Sequence, residues 1–250
     1  SIDKQLQMNK DQTAVIPLES DPVVFNQFSQ LLGLGPGYKF IDIYSIDDEN
    51  LIAFLERPII AIILLFPVQQ NSRENNTVTP AIPDKNEEPP IWLKQNIRNA
   101  CGPYALLHIL TNYQNLLATG DSPLGEYCEK NKDNMNSNID KFIIDFATKY
   151  QSDFTENSGS SANPDPDAAI DLHFITFISK NHKLWELDGR ATSGKPTYLG
   201  EAANTTAGEE YVDLIDQPLI KERILSYMNN VEDESAKLNF SLMGLAKSYN

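Results

Sequence analysis

The longest uninterrupted apolar run, from Ile59 to Val68, constrains the fold more than any other feature of the sequence. It holds ten residues and includes Pro67, so it is too short to cross a bilayer as a helix. A short run that is apolar at every position is typical of a strand buried on both faces of a sheet. The sequence therefore predicts a central strand over residues 59–66.

The rest of the chain alternates irregularly between strand-like and helix-like patterns. Asp21 is placed to cap a helix that has Pro22 at its first position and ends at Gly33. The other predicted elements are a strand over 40–44, helices over 45–55 (capped by Ser45), 101–113, 138–150 and 217–228 (capped by Asp216), a hairpin over 172–188 and a last strand over 237–243. The segments 69–90 and 151–171 have loop-like compositions. Because no βαβ repeat continues through the chain, we expect an α+β fold with an antiparallel-rich sheet flanked by helices.

Length and composition are those of a globular chain. The 250 residues allow one large domain or two small ones. The irregular alternation of elements favours one domain over residues 12–250. Residues 1–11 are expected to be an N-terminal extension that is flexible or partly foreign to the natural protein.

Charge and cysteine content limit the partners and the compartment. A formal net charge of −15 disfavours nucleic acid and anionic membranes and favours a basic partner, although it also fits solubility alone. Two cysteines, with no visible secretory signal, favour a reducing compartment. We therefore expect the protein to be located in the cytoplasm and also in the nucleus. The Cys and His residues show no ligand spacing, so no metal is expected.

Cys101 opens a predicted helix in the segment Gln95-Asn96-Ile97-Arg98-Asn99-Ala100-Cys101-Gly102-Pro103. Pro103 is tolerated in a first turn, where its missing N–H would have no helical partner. The free N–H groups at a helix N-terminus favour a thiolate, and they can also bind an oxyanion together with a nearby Gln amide. Taken alone, the segment equally fits an inert, buried cysteine.

His173 and Asp188 are the residues most suited to assist a nucleophilic cysteine. His173 begins a strand-like run, and a turn through Lys180-Asn181 would place it directly opposite Asp188. A carboxylate there could orient the imidazole and stabilise its cationic form, or the two could be a half-buried pair without a catalytic role. His108 is expected to be a core or polar-satisfied helix residue, and His182 a turn residue. Cys128, beside Glu126 and Glu129, is expected to be unreactive because the two acids would raise its thiol pKa.

Three motifs in the same order resemble the ubiquitin carboxyl-terminal hydrolases, a family of cysteine deubiquitinases. They are Gln95 six residues before Cys101 within Asn99-Ala100-Cys101-Gly102, His173 opening a strand, and Glu186-Leu187-Asp188-Gly189-Arg190. The likeness continues through Pro17–Pro22, Phe40–Ser45 and Ser226–Met228 and covers about residues 12–248. It is strongest to yeast and fungal members of the family.

The resemblance implies a mechanism that the spacings alone do not give. It makes Cys101 the nucleophile, His173 the general base and acid, Asp188 its orienting partner and Gln95 an oxyanion donor, with no cofactor. It further implies a papain-like core with a knotted backbone, and a crossover loop at residues 151–171 that limits the size of the leaving group. The expected substrate is a small adduct or short extension on the C-terminal glycine of ubiquitin or of a Rub/Nedd-type relative, cleaved by a monomer.

Two other readings compete with this one. A general papain-like endopeptidase also carries Gln and Cys-Gly at this spacing. However, papains place their His about 130 residues or more after the Cys, whereas His173 follows Cys101 by 72 residues. A non-catalytic ubiquitin-binding protein would not need the intact set of Cys, His, Asp and Gln. Thiol alkylation would separate that reading from a hydrolase.

Glu19 and Asp42 are candidates for ubiquitin binding. Asp42 interrupts a strand-like run in which Asp is disfavoured, and Glu19 precedes the first helix. Both could equally be solvated or capping acids. The resemblance places both near the bound ubiquitin, whose tail is rich in arginine, and a carboxylate facing arginine forms a charge-assisted pair.

Overall fold

A single antiparallel sheet organises the part of the chain that the computed structural model describes, residues 20–67, 78–97, 100–157, 172–231 and 240–249. Its strands are β1 (Tyr38–Ile43), β2 (Ile59–Pro67), β3 (Leu172–Lys180), β4 (Lys183–Leu187), β5 (Thr197–Glu201) and β6 (Ser241–Lys247). The order is β1-β6-β2-β3-β4-β5, and each neighbouring pair is antiparallel. The predicted central strand is therefore confirmed, since β2 lies inside the sheet between β6 and β3.

Helices cover both faces of this sheet. They are α1 (Pro22–Leu32), α2 (Glu49–Ile52), α3 (Cys101–Asn112), α4 (Pro123–Lys130), α5 (Ile139–Asn157) and α6 (Pro218–Asn229), with short 3₁₀ turns at Gln114–Leu116 and Leu214–Asp216. The predicted caps of α1 are confirmed, because Asp21 accepts from the N–H of Val23 and Gly33 ends the helix at φ 114°. None of the helices in the described ranges combines the length and apolar character needed to cross a membrane.

The apolar pattern of β2 follows from burial on both sides. Ile63 and Leu65 pack into one core, which also contains buried residues of α1, α3 and α5. Ile62 and Leu64 pack into a second core, which contains Ile220 and Ile224 of α6. From Ala61 to Leu65 the two cores take alternate residues, so no position in this part of β2 can be polar without facing an apolar layer. The α+β layering expected from the sequence is confirmed.

Several predicted boundaries and caps are wrong. Ser45 does not cap a long helix; its hydroxyl accepts from the N–H groups of Asp47 and Asp48, and the four-residue α2 is capped by Asp48. α6 begins after Gln217, which makes no side-chain cap bond, while Asp216 pairs with Arg57. The last strand spans Ser241–Lys247 and so continues past its predicted end at 243, while the predicted residues 237–239 lie outside the described residues.

The two predicted loops lie partly outside the described residues. Residues 78–90 contain neither helix nor strand, as expected, and 68–77 are not described. α5 continues to Asn157, so the predicted loop over 151–171 is wrong for its first seven residues, and 158–171 lie outside the described residues. The knotted backbone and the crossover loop therefore stay predictions, as does a single domain over 12–250.

The β3–β4 hairpin closes one residue later than predicted. Its turn residues are Asn181 and His182, both with positive φ (52° and 60°), as a tight type I′ turn requires. Lys180 pairs with Lys183, and the ladder ends with Leu187 opposite Thr176. Asp188 is therefore not in register with His173, and the predicted pairing is wrong by two positions. Asn tolerates positive φ, which explains why Asn181 takes the first turn position.

Candidate active site

Cys101 is the first residue of α3, and only 7% of its surface is exposed. The residue before it, Ala100, makes no side-chain cap bond, so no side chain of the N-cap satisfies the first N–H groups of the helix. The N–H groups of Cys101 and Gly102 act on the thiol and lower its pKa. The helix N-terminus is thus positioned as the sequence predicts.

Two opposing effects act on the pKa of the Cys101 thiol. Burial raises the pKa of Cys101 to about 11. The N–H of Gly102, the charge of Arg190 and the N–H of Phe174 lower this pKa but do not outweigh burial. The net shift is towards the neutral thiol, so the helix N-terminus alone does not offset burial.

Strand β3 lies directly against the helix that carries Cys101. The hydroxyl of Thr176 donates to the carbonyl of Ala105 at 3.0 Å, which ties the middle of β3 to α3. The effect of the Phe174 N–H on the thiol places Cys101 beside the residue that follows His173 in β3. Packing of α3 on β3 therefore brings the predicted nucleophile and the predicted base into one region.

His173 and Asp188 form a direct hydrogen bond. Nε2 of His173 lies 2.7 Å from Oδ1 of Asp188, and both side chains are mostly buried. Asp188 Oδ1 also accepts from the N–H of Arg190 at 2.9 Å. The predicted contact is present despite the register shift, because the chain leaves β4 at Leu187 and turns over residues 188–191.

The carboxyl of Asp188 is held in its ionised form. Burial alone would raise the pKa of Asp188, but the hydrogen bond and charge of His173, followed by the N–H of Arg190, hold it below its usual value. An ionised Asp188 fixes the orientation of the His173 ring through Nε2. The other ring nitrogen, Nδ1, is the one not bonded to Asp188.

Aromatic side chains support the His173 ring from the α6 side of the sheet. The ring of Phe66, on β2, lies 5.0 Å from His173 and is stacked on Tyr227 of α6 at 5.5 Å. The Tyr227 hydroxyl in turn bonds Glu186 at 2.9 Å, and Arg223 bonds both carboxylate oxygens of Glu186. The Glu of the Glu186–Arg190 motif is therefore part of a buried ion pair beneath the site.

Gln95 lies beside the turn that carries Asp188. Its backbone N–H donates to the carbonyl of Gly189 at 2.9 Å, and its side-chain amide lies 3.4 Å from the carbonyl of Ile97. A Cβ added at Gly189 would stand 2.9 Å from the carbonyl oxygen of Leu93 and 3.1 Å from Cβ of Gln95. The close approach of these two segments explains the glycine after Asp188.

The remaining sequence expectations have mixed outcomes. His108 is fully buried and accepts from the N–H of Leu93 at 2.9 Å, which confirms a polar-satisfied helix residue. His182 lies in the hairpin turn, as expected, and bonds the carbonyl of Glu209. The pKa of Cys128 is raised to about 11, but burial is the cause and not the neighbouring acids.

Only one of the two candidate ubiquitin-binding residues lies in the described part of the chain. Asp42 is an exposed residue of β1, opposite Met243 of β6. Partial burial and then the charge of Asp21 raise its pKa, while a hydrogen bond from Tyr44 lowers it. Glu19 lies outside the described residues. The roles of Glu19 and Asp42 in ubiquitin binding therefore stay predictions.

Sequence reasoning missed several side chains around the site. Trp92 donates from Nε1 to the carbonyl of Asp188 at 2.8 Å, and Asn136 bonds the backbone on either side of Leu93. Phe66 supports His173 from a strand that the sequence identified only by its hydrophobicity. No local pattern marks these residues, because each acts through a contact between distant segments. Among the described residues, no group of three His, Cys, Asp or Glu side chains is arranged to hold a metal ion.

Comparison with known proteins decides the family. The family model described as ubiquitin carboxyl-terminal hydrolase, family 1, matches residues 15–224. The chain belongs to this family of cysteine peptidases. The resemblance inferred from the three motifs is thereby confirmed. Cys101, His173 and Asp188 occur in that order along the chain and belong to the motifs that carry it.

Full-length relatives agree with this assignment. Ubiquitin carboxyl-terminal hydrolase YUH1 of Saccharomyces cerevisiae is 37% identical over 249 residues, which cover 97% of this chain and all of the relative. A probable ubiquitin carboxyl-terminal hydrolase of Dictyostelium discoideum is 26% identical, covering the whole chain and 94% of the relative. A ubiquitin carboxyl-terminal hydrolase of Aplysia californica is 31% identical over 75% of this chain and 91% of its own.

A solved structure shows the same fold. The catalytic domain of Trichinella spiralis UCH37, bound to ubiquitin vinyl methyl ester, superposes with a TM-score of 0.64 over 94% of this chain and 98% of that domain. The two sequences are 21% identical, so this likeness concerns the fold. The papain-like α+β architecture of the family is thus present in this chain.

Proposed function

We propose that the chain is a thiol-dependent deubiquitinase that removes small adducts and short peptide extensions from the C-terminal glycine of ubiquitin. The observation that carries the proposal is the His173 Nε2–Asp188 Oδ1 bond beside a buried thiol at a helix N-terminus. A hydrogen-bonded base and orienting group next to a nucleophile is the arrangement that covalent catalysis requires.

Proton transfer from Cys101 to His173 starts the reaction. Because Asp188 occupies Nε2, Nδ1 of His173 takes the thiol proton as the sulfur attacks the glycine carbonyl. Burial raises the pKa of the Cys101 thiol, so transfer of its proton to His173 is needed to form the nucleophile. Ionised Asp188 then stabilises the imidazolium, and His173 returns the proton to the leaving amine.

The oxyanion of the tetrahedral intermediate needs donors at the same helix end. The backbone N–H of Cys101 supplies one, and the side-chain amide of Gln95 supplies the second. Gln95 is half-buried on a segment whose backbone is fixed beside the Asp188 turn by the bond from the Gln95 N–H to Gly189, and its side-chain amide faces the carbonyl of Ile97 at 3.4 Å. Collapse of the intermediate expels the amine and leaves an acyl-thioester, which water hydrolyses to free Cys101.

We expect the size of the leaving group to be limited by the crossover loop that the family resemblance implies. α5 ends at Asn157 and β3 begins at Leu172, so the two are joined by 14 residues that lie outside the described ranges. We expect a small amide on ubiquitin to be cleaved faster than a second, folded ubiquitin. The enzyme is proposed to act as a monomer, in the cytoplasm and the nucleus, on ubiquitin or on a relative of the Rub/Nedd type.

Hydrolysis of a ubiquitin C-terminal amide by single variants tests the proposal. Cys101→Ser is expected to abolish turnover and keep ubiquitin binding, since serine is nearly isosteric but a much weaker nucleophile beside this imidazole. Gln95→Ala is expected to lower kcat, because it removes about 2–4 kcal/mol of transition-state stabilisation. KM should be nearly unchanged. Cys128→Ser serves as the matched control and should retain full activity.

Two outcomes would contradict the assignment. Turnover that survives in Cys101→Ser, or is lost in a folded Cys128→Ser, would mean that the wrong thiol has been assigned. A Gln95→Ala variant that raises KM and spares kcat would make Gln95 a substrate-binding residue instead of an oxyanion donor.

A further inference from the structure

The segment that carries Gln95 has an unusual backbone environment. Residues 91–95 lie in neither a helix nor a strand, and side chains from other elements satisfy much of their backbone. Asn112 bonds both the N–H and the carbonyl of Ile91, at 2.8 and 3.0 Å. Nε2 of His108 accepts from Leu93 at 2.9 Å. His108 and Asn112 are one turn apart on α3, the helix that begins at Cys101.

Asn136 adds a second clamp from the opposite side of the chain. Its Oδ1 accepts from the N–H of Lys94 at 2.9 Å, and its Nδ2 donates to the carbonyl of Trp92 at 2.8 Å. This pair of bonds on residues i and i+2 is the one that a neighbouring β-strand would make. Asn136 itself lies in the turn between α4 and α5, where its N–H donates to Oδ1 of Asn134.

The position of the clamp relates it to the oxyanion site. Lys94 is the residue directly before Gln95, and the next N–H along, that of Gln95, donates to Gly189 beside Asp188. Asn136 is exposed and so does not serve the apolar core. Its two bonds restrain the peptides of residues 92–94, and a catalytic donor has to be held to within about 0.5 Å to be effective.

We propose that Asn136 is a positioning residue for the oxyanion donor: its amide holds residues 92–94 so that Gln95 stays at the N-terminus of α3. The inference rests on the proposed role of Gln95. The buried imidazole of His108 holds the same segment from α3, so the donor is fixed between the helix of the nucleophile and the α4–α5 turn. Losing the Asn136 clamp leaves binding of ubiquitin intact and loosens the segment that carries the donor.

Steady-state kinetics on a ubiquitin C-terminal amide test this role with a matched control. Asn136→Ala is expected to lower kcat roughly tenfold, which is less than the roughly hundredfold loss that a 1 Å misplacement can cause. Its KM should stay within about twofold of the wild-type value. Asn26 also bonds the backbone twice, but to the N–H and the carbonyl of a single residue, Phe40 in β1, at 2.6 and 3.0 Å. Asn26→Ala should lower the free energy of unfolding by a similar amount but leave kcat at the wild-type value.

A double variant separates positioning from general destabilisation. If Asn136 acts through Gln95, then Gln95→Ala/Asn136→Ala should be no slower than Gln95→Ala alone. Multiplicative losses in the double variant, or an unchanged kcat in Asn136→Ala while Gln95→Ala is slow, would overturn the inference and leave the proposed function standing. A Gln95→Ala variant with wild-type kcat would instead remove the oxyanion assignment itself. Should Asn136→Ala not fold, Asn136→Asp, which keeps the acceptor for Lys94 and loses the donor to Trp92, is judged by the same criteria.

Discussion

His108 shows how a single buried side chain links the active-site segment to pH. Burial lowers the pKa of His108 to about 4 from its ordinary value of 6.5, although the nearby charge of Asp188 acts in the opposite direction. The native state therefore keeps His108 neutral, and a neutral Nε2 can accept from the N–H of Leu93. Protonation of His108 would convert this acceptor into a donor and break the bond.

The free energy of unfolding is therefore expected to fall in mild acid. The unfolded chain takes up a proton at this residue near pH 6.5, whereas the native state does so only near pH 4. The contribution of neutral His108 is fully present above about pH 6.5, falls between pH 6.5 and 4, and is constant below that. The expected loss is about 3 kcal/mol. Urea unfolding at several pH values across this range measures it.

His108→Gln is the control for this prediction. Gln offers an amide oxygen to the N–H of Leu93 but does not titrate, so its unfolding free energy should depend less on pH than that of the wild type. Equal pH dependence in the two proteins would show that other groups, and not His108, determine the acid sensitivity.

At the level of single residues, the sequence predicts the identity of the site residues better than their electrostatic state. Gln95, Cys101, His173 and Asp188 stand in motifs that can be read directly. The raised pKa of Cys101 cannot be read there, because it depends on burial by β3 and α3 in three dimensions. The catalytic roles of all four residues stay proposals until variants are measured.

At the level of elements, the packing of one loop on another carries the geometry of the site. Gly189 follows Asp188, and its carbonyl accepts from the N–H of Gln95. Gly189→Ala would place a methyl group 2.9 Å from the carbonyl oxygen of Leu93, closer than real Cβ contacts come. The segment that carries Gln95 must then move away from the Asp188 turn. We expect kcat to fall several-fold, because a displaced catalytic group stabilises the transition state less well.

Gly37→Ala is the matched control for Gly189→Ala. A Cβ at Gly37 meets nothing within 4 Å, so this variant removes the same glycine freedom without a collision. It should keep the wild-type kcat. Equal kcat values in Gly189→Ala, Gly37→Ala and the wild type would show that the two segments do not have to lie this close for catalysis.

The success of element prediction depended on whether the signal was local. The caps of α1 and the buried strand β2 are encoded in a few consecutive residues, and both are confirmed. The hairpin register was wrong because two adjacent turns are possible and only the backbone angles of Asn181 and His182 decide between them. Ser45 and Asp216 looked like helix caps, but Ser45 forms a local turn and Asp216 an ion pair with Arg57.

For the whole molecule, the order of strands could not be predicted from the sequence. β6, the last strand, lies between β1 and β2, so the first and last strands of the described chain pair with each other at one edge of the sheet. Its pairing with β1 joins residues about two hundred positions apart, such as Asp42 and Met243. Contacts at that separation leave no periodic trace in a single sequence. The layered α+β class was predictable because it depends only on the types of elements.

The net charge of −15 gives a prediction for ubiquitin recognition. If the exposed Asp42 faces an arginine of ubiquitin, Asp42→Arg should raise KM with kcat nearly preserved, and Glu19→Arg should do the same. Wild-type kcat/KM should fall as ionic strength rises, because exposed charge pairs are screened. Kinetics at two salt concentrations measure both effects.

Glu129→Arg is the control that separates local from overall charge. It makes the same change in net charge on the exposed face of α4, where Glu129 pairs with Lys132. KM should stay near the wild-type value in this variant. If Glu129→Arg raised KM as much as Asp42→Arg, overall charge and not a contact at Asp42 would explain the salt dependence.

Covalent labelling with ubiquitin vinyl methyl ester, the probe bound in the related Trichinella structure, tests the central claim most directly. Intact-mass and peptide-mapping measurements should find one ubiquitin adduct per chain, attached to Cys101, in the wild type and in Cys128→Ser. Cys101→Ser should carry none. Absence of an adduct on the folded wild-type chain, or an adduct that maps to Cys128, would contradict the assignment of Cys101 as the nucleophile of a ubiquitin hydrolase.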